Sequence, residues 1–363
     1  MPGIVTHSRI LKESIEYCAK KEKRTYLQRS LETLFSTREH VTAALFGAIG
    51  PNIFDYLPVV MKRSAYGSEL SFHLHNGGSG RFIEAMISTI TSYEDKNTEW
   101  AALQRAYCYG FISHIIADAV FHPFVFYYSG FPMTKEKREQ EFYREQNLLF
   151  QYHLDNYIQY HEEHSSHYVF SLSDMFPRTR LGFVRVIDLP IRTILFHALA
   201  EACPDPARRF IPTRAMNRDP RKAVGFSLLD AIPPLMRLTY AIKRTNNPRV
   251  ADLIRRIRRS KFMYSDFLVR YPMNRRFNKH ILNLQKERWD HPAGKPGLHY
   301  ESVPNLLALS RAKTVEIWEE IESTLYGNTP GGLSERLAIN AYTGDVACAF
   351  NDLKIKHPIR LHL

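Results

Sequence analysis

The stretch YCYGFISHIIADAVFHPFVFYYSG, residues 107–130, decides how the rest of the chain is read. It is apolar over long runs, yet His114, Asp118 and His122 recur at i, i+4 and i+8. In an α-helix that spacing stacks side chains on one face, each about 6 Å from the next. A buried helix carrying two imidazoles and a carboxylate on one face loses several kcal/mol of hydration unless something compensates. Imidazole and carboxylate are the ligands zinc takes when thiolates are absent, and a catalytic zinc needs three protein ligands with one position open to water. The spacing therefore predicts a metal site within a helical core, against the alternative of core polar groups that satisfy one another. His114 and His122 stand far apart along the axis for a single ion, so either Asp118 is shared or the two ends serve neighbouring ions.

Outward from this stretch, apolar residues recur at three and four across residues 8–21, 37–48, 80–93, 99–128, 135–160, 249–270 and 310–326, which predicts helices there. No run of strict alternation predicts a strand. Loops rich in Gly, Pro and Asn separate the helices, at residues 50–52, 75–80, 204–209, 246–248, 290–297 and 327–332. The expected fold is all-α, a single multi-helix bundle over residues 1–363 with a metal-site half (about 1–176) and a basic helical half (about 177–363). The soft boundary between them lies near residues 176–180, where the charge composition shifts.

Of the 363 residues 44% are hydrophobic and 24% charged, with 20 Tyr and 22 Phe, which suits a compact fold and excludes disordered, collagen-like and coiled-coil classes. Cys18, Cys108, Cys203 and Cys348 are widely spaced, with no CxxC pair, arguing against a disulfide framework and for a reducing compartment. The first residues, MPGIVTHSRILKES, lack the basic and apolar regions of a secretory signal, so a cytoplasmic protein is expected. Residues 42–61 and 111–131 are apolar enough to suggest membrane spans, but Asp55 in the first and His114, Asp118 and His122 in the second make them buried core segments instead.

The net charge of +12 is concentrated: residues 178–280 hold 23 Lys and Arg against 7 Asp and Glu. Within them RVADLIRRIRRSKFMYSDF sets Val250, Leu253, Ile254 and Ile257 at helical spacing, with Arg255, Arg256, Arg258 and Arg259 over much of the remaining surface. Three readings stay open for this basic amphipathic helix. It packs on the core with a solvated face, it meets an anionic membrane surface or acidic partner, or, with the least support, it binds nucleic acid, for which the chain shows no known module.

A second group of polar residues precedes the first. In LFGAIGPNIFDYLPVV a Gly-Pro turn presents Asn52 and Asp55, and ELSFHLHNGG follows with His73 and His75. Any of these can reach a metal from a loop, and each alone is equally at home as a turn or cap residue. Asp55 is the candidate to orient an attacking water and take its proton.

Together THSRI at residues 6–10, GAIGPNIFDY at 47–56, LHN at 74–76, GFISHIIADAVFHP at 110–123 and the W-x-HP motif at 289–292 resemble the zinc-dependent phospholipase C family, in particular its shorter intracellular members that begin Met-Pro. The sharpest element is G-x-x-x-H-x-x-x-D-x-x-x-H-P. The resemblance implies an all-helical fold around one to three zinc ions and hydrolysis of a phospholipid or related phosphodiester, with single-strand nucleases as cousins. It implies one ion held by His75, His114, Asp118 and, in place of the acidic residue of the family's turn, Asn52. It implies a second shared through Asp118 with His7 and the amine of Pro2, and a third using His122 with a later helix that carries His and Glu.

In that later helix this sequence departs from the pattern. Asp155 is in place, but Asn147 and Gln151 stand where His and Glu belong. Neutral amides are poor zinc ligands, so these positions are read as degraded. Glu141, Glu145, His153 and the HEEHSSH run at 161–167 are the candidates to replace them. Two functions remain open: a metal-dependent phosphodiesterase working on phospholipid at a cytoplasmic membrane surface, and a non-catalytic descendant that binds or scaffolds. Aromatic residues around 121–131 suit either a lipid pocket or core packing.

Overall fold

The computed structural model describes residues 2–20, 25–56, 64–132, 136–160, 170–181, 184–206, 227–244, 249, 277–327, 336–355, 358 and 360–361. In chain order the elements are α1 (Ile4–Lys20), α2 (Tyr26–Leu34), α3 (Arg38–Gly47), a 3-10 helix (Gly50–Tyr56), α4 (Ser64–His73) running into a π-turn (Leu74–Gly78), and α5 (Ser79–Thr91). There follow α6 (Glu99–Ser129), α7 (Lys137–Tyr160), a hairpin of β1 (Arg178–Leu181) and β2 (Val184–Ile187), α8 (Leu189–Ala202), α9 (Ile232–Arg244) and α10 (Val303–Leu325). The fold is all-α.

Helix α6 is the axis. Thr98 caps its start by accepting from the Ala101 amide, and Gly130 ends it at φ 68°, donating its amide to the Phe126 carbonyl. By length and composition α6 can cross a membrane, but 94% of its most apolar window is buried inside the protein. Its apolar residues on every side are matched by partners on every side, with α1, α3, α5, α7, α8 and α10 all packed against it. The approach of α3 is closest: a side chain on Gly110 would strike the backbone of Ala44, and one on Gly47 the backbone near Tyr107.

One apolar cluster surrounds the first half of α6 with Phe46, Phe82, Tyr107, Phe111 and Trp318. Another surrounds its second half with Phe121, Phe124, Phe150, Trp289 and Leu306. The aromatics of residues 121–131 are therefore core: Phe121, Phe124, Phe126 and Phe131 are at most 4% exposed. A buried network ties α10 to α6 and α2. Glu322 accepts from the Tyr109 hydroxyl and the Ser30 hydroxyl, both at 2.6 Å, while the Trp318 indole donates to the Tyr109 carbonyl at 3.0 Å.

Six of the seven expected helices coincide with α1, α3, α5, α6, α7 and α10. The seventh, residues 249–270 with Arg255, Arg256, Arg258 and Arg259, lies outside the described residues after Arg249. The β1–β2 hairpin corrects the reading that no strand forms. It is antiparallel, with Arg178 opposite Ile187, and each strand is only four residues long, too short for alternation to register. The buried Asp230 holds it, accepting from the Ile187 amide at 2.8 Å and pairing with Arg192 at 3.3 Å.

Candidate metal centre

Three elements far apart in sequence deliver imidazoles to one carboxylate. Helix α6 contributes His114, Asp118 and His122, all fully buried. Helix α1 contributes His7 from its first turns. The π-turn after α4 contributes His75, which is buried, whereas His73, two residues earlier at the end of α4, is exposed. The rotation of a helical backbone accounts for that contrast.

The donors divide about the two oxygens of Asp118. His75 Nε2 and His114 Nε2 lie 3.1 and 3.2 Å from Oδ2. His7 Nε2 and His122 Nε2 lie 3.3 and 3.9 Å from Oδ1. One donor atom each from His7, His114 and Asp118 falls within 4.8 Å of the other two. The His7 and His114 rings stack 4.0 Å apart.

The far nitrogens fix the tautomers. His75 Nδ1 is 2.7 Å from the Ser71 carbonyl, His114 Nδ1 3.0 Å from the Ala48 carbonyl and His122 Nδ1 2.5 Å from the Ala341 carbonyl. A carbonyl only accepts, so each Nδ1 carries the proton and each Nε2 presents a lone pair. Yet His75 Nε2 and His114 Nε2 are 3.2 Å apart, and neither oxygen of Asp118 has a well-directed hydrogen bond. Lone pairs and an anionic carboxylate facing one another without protons between them require a cation. The donor set fits zinc: imidazole nitrogen, carboxylate oxygen, and backbone carbonyls that orient the rings from behind.

Charge states agree with this reading. Burial, and next the neighbouring His7, lower the His114 pKa from its ordinary value despite Asp118. Burial likewise holds His122 well below the usual imidazole range against the pull of Asp118. For Asp118 burial alone would push the pKa up, but the surrounding His122, His114 and His7 together hold it well below the usual carboxylate range. At neutral pH His114 and His122 are neutral beside an ionised Asp118.

Local sequence explains the placement. In GAIGPN, Ala48 supplies the carbonyl for His114, and Gly50, at φ 61°, lies under the His114 ring where any side chain would strike it. Asn52 follows on the 3-10 helix with its Oδ1 buried and, among the described residues, without a hydrogen-bond partner, and Asp55 accepts from the Ser71 hydroxyl at 3.1 Å. Asp155 of α7 receives the Thr6 amide at 3.1 Å and the Thr6 hydroxyl at 2.7 Å, so it caps the start of α1 one residue before His7.

The later-helix positions have the following surroundings. Asn147 donates to the Gly130 carbonyl at 2.5 Å and the Tyr143 carbonyl at 3.2 Å, closing the end of α6. Gln151 is half-buried on α7, Glu141 and Glu145 are exposed, His153 is buried, and residues 161–167 lie outside the described residues. His122, assigned by resemblance to an ion with those positions, has its Nε2 3.9 Å from Asp118 Oδ1.

Sequence reading missed one contributor. Beyond the Ala341 carbonyl, the Ala341 amide donates to the His75 carbonyl at 2.8 Å. The Tyr342 ring lies 5.3 Å from His75 and 5.1 Å from His122. Burial and the charges of Asp55 and Asp118 raise the Tyr342 pKa far above its ordinary value. No spacing rule connects AYTGD at residues 341–345 to a helix more than two hundred residues upstream.

A sequence model described as zinc dependent phospholipase C matches residues 6–179. This segment, just under half of the chain, is similar to the zinc-dependent phospholipase C family. The matched residues include His7, Asn52, His75, His114, Asp118 and His122, and they end well before Tyr342. No curated protein and no solved structure matches the chain.

Proposed function

We propose that the protein is a zinc-dependent phosphodiesterase of phospholipase C type, hydrolysing a phospholipid or related phosphoester. The observation that carries this reading is the convergence of His7, His75, His114 and His122 on Asp118, with the lone pairs of His75, His114 and His122 turned inward by backbone carbonyls, inside a segment that matches the phospholipase C family. Zinc held there lowers the pKa of a bound water towards about 7 and offsets charge on phosphoryl oxygens. Asp118 and the imidazoles hold that charge in a buried setting where it is poorly screened. Asp55, which accepts from the Ser71 hydroxyl, would orient the attacking water and accept its proton. Asn52 adds an unpartnered carbonyl oxygen as a neutral ligand or water contact. The ion count proposed is one to three. The basic segment with Arg255, Arg256, Arg258 and Arg259 would hold the protein at an anionic cytoplasmic membrane surface.

The second reading, a non-catalytic binding or scaffold descendant, is favoured by one observation. Asn147, where the family pattern has a ligand, is committed to closing α6. Elemental mass spectrometry of untagged protein purified without chelator separates the two, with His114→Ala as control. At least one zinc equivalent in the native chain, lost with turnover of phospholipid vesicles in His114→Ala, is expected for the enzyme. A chain without zinc, or one whose turnover survives His114→Ala at native levels, overturns it.

A further inference from the structure

The polypeptide that finishes the metal centre comes from outside the family-matched residues, in the segment from Ile339 to Phe350. Three independent features lock it against the site. Its Ala341 carbonyl and amide are bonded to His122 Nδ1 and to the His75 carbonyl, so one residue addresses both a helix histidine and the π-turn histidine. Asn76, next to His75, receives the Asn340 side-chain amide at 2.7 Å and the Phe350 amide at 3.1 Å, clamping both ends of the segment to the π-turn. Gly344 packs against the Ala119 carbonyl of α6. Pro123, four residues on, has no N–H to give that carbonyl, so the helix leaves it open at the point where the segment arrives.

From the other side the segment is braced by the loop that carries W-x-HP. Lys295 donates to the Gly344 carbonyl at 3.0 Å and pairs with Asp345 at 2.9 Å, and the Lys354 amide donates to the Pro292 carbonyl at 2.9 Å. Trp289 of that motif packs edge-on against Phe124 of α6. The motif thus has a mechanical role: it anchors the loop that presses the segment onto the centre.

Tyr342 is the segment's functional side chain. Its ring is set among His75, His122, Phe126 and Phe350, and Phe72, 41% exposed, lies 5.5 Å from it, so the ring stands between the histidines and the surface. Among the described residues its backbone amide is bonded to Asn340 while its hydroxyl takes no part in a hydrogen bond.

We propose that residues 339–350 are a strap that completes the metal centre, fixing His122 and His75 as ligands through Ala341 and offering the Tyr342 hydroxyl as a hydrogen-bond donor to a non-bridging oxygen of the phosphoryl group. This rests on the phosphodiesterase reading for its ligand. It adds that the ligand geometry and part of the phosphate contact are supplied by residues beyond the family segment, with Tyr342 a positioning residue for the phosphoester.

Three variants test it on the full chain. Tyr342→Phe keeps the ring and removes the hydroxyl. Asn340→Ala and Gly344→Ala loosen the strap from the π-turn and from α6. Zinc affinity is read by competition with a chromophoric chelator, ligand geometry by the visible spectrum of the cobalt-substituted protein, and phosphate contact by calorimetric titration of inorganic phosphate into the zinc-loaded protein. Gly344→Ala and Asn340→Ala are expected to weaken zinc binding about 10- to 100-fold and to alter the cobalt spectrum, the size seen when groups that orient metal ligands are lost. Tyr342→Phe is expected to leave zinc affinity, cobalt spectrum and thermal midpoint unchanged while weakening phosphate binding about tenfold, the loss of one hydrogen bond to a charged group. Native zinc affinity in both strap variants, or native phosphate affinity in Tyr342→Phe, overturns the strap while leaving the enzyme reading intact. A native chain that binds no zinc overturns the enzyme reading first and the strap with it.

Discussion

Asp118 is fully buried, ionised, and lacks a well-directed hydrogen bond at either oxygen. Outside a functional site such a carboxylate is a liability, since an unpaired buried charge is among the most costly features a fold can carry. Asp118→Asn keeps the shape and removes the charge. Stabilisation by added zinc is expected to disappear in this variant. Thermal melts with and without zinc check this, and a variant that zinc stabilises as much as it does the native chain refutes it. A pH dependence follows from His291, whose pKa burial, Lys295 and His299 lower to about 4. Its Nδ1 accepts the Ala293 amide at 3.1 Å, which only a neutral ring allows. Because the folded value lies below the unfolded value of about 6.5, the folded state binds fewer protons. The contribution is complete above about pH 6.5 and is lost as pH falls towards 4. The metal-free protein is expected to lose melting temperature over that window, and His291→Asn, which retains an acceptor but does not titrate, is expected to flatten the loss.

At the scale of elements, α1 and α7 are coupled through one side chain. Asp155 satisfies the orphan amides at the start of α1 and places His7 over His114. Asp155→Ala is expected to cost about 1–2 kcal/mol in stability as a lost helix cap and, by freeing the first turn, to weaken zinc binding. Asp155→Asn, which retains an acceptor, should recover most of both, and equal losses in the two variants count against the capping role. The same contact shows what sequence can and cannot disclose. The i, i+4, i+8 spacing of His114, Asp118 and His122 is helix geometry written directly in the chain, so α6 and its polar face were legible. That His7 and His75 meet them follows from how α1 and the π-turn pack, which was accessible only through the resemblance. Asn147 reads as a lost ligand by alignment, yet in space it closes α6 at Gly130, because a side chain's role is set by its neighbours in space. Ala341 acts through its backbone and Tyr342 through its ring, and neither leaves a mark in spacing or composition. The hairpin escaped for the opposite reason: it is held by Asp230, a residue distant from both strands.

On the scale of the whole molecule, the chemistry and the charge are separated along the sequence. The acidic and imidazole groups of the metal centre lie within residues 7–122, whereas the surplus of Lys and Arg lies within residues 178–280. A phosphodiesterase whose substrate resides in a membrane needs one region to hold the surface and another to do chemistry, and the two can be tested apart. Each Lys or Arg near an anionic surface contributes about 1 kcal/mol, so replacing Arg255, Arg256, Arg258 and Arg259 by Ser is expected to weaken binding to phosphatidylserine-containing vesicles by up to about a thousandfold. Binding of the native chain should fall as salt is raised, since screening shortens the reach of such charges to about 8 Å at physiological ionic strength. Zinc content and hydrolysis of a short-chain, monomeric phosphodiester should be unchanged in the same variant, because neither involves a surface. Co-sedimentation with vesicles, with pure phosphatidylcholine as control, reads the first effect, and elemental analysis with a soluble substrate reads the second. Native vesicle binding in the four-fold variant would assign the arginines to the solvated face of a core-packed helix. Loss of zinc along with vesicle binding would mean that the basic segment supports the metal centre, and the separation of charge from chemistry would fail.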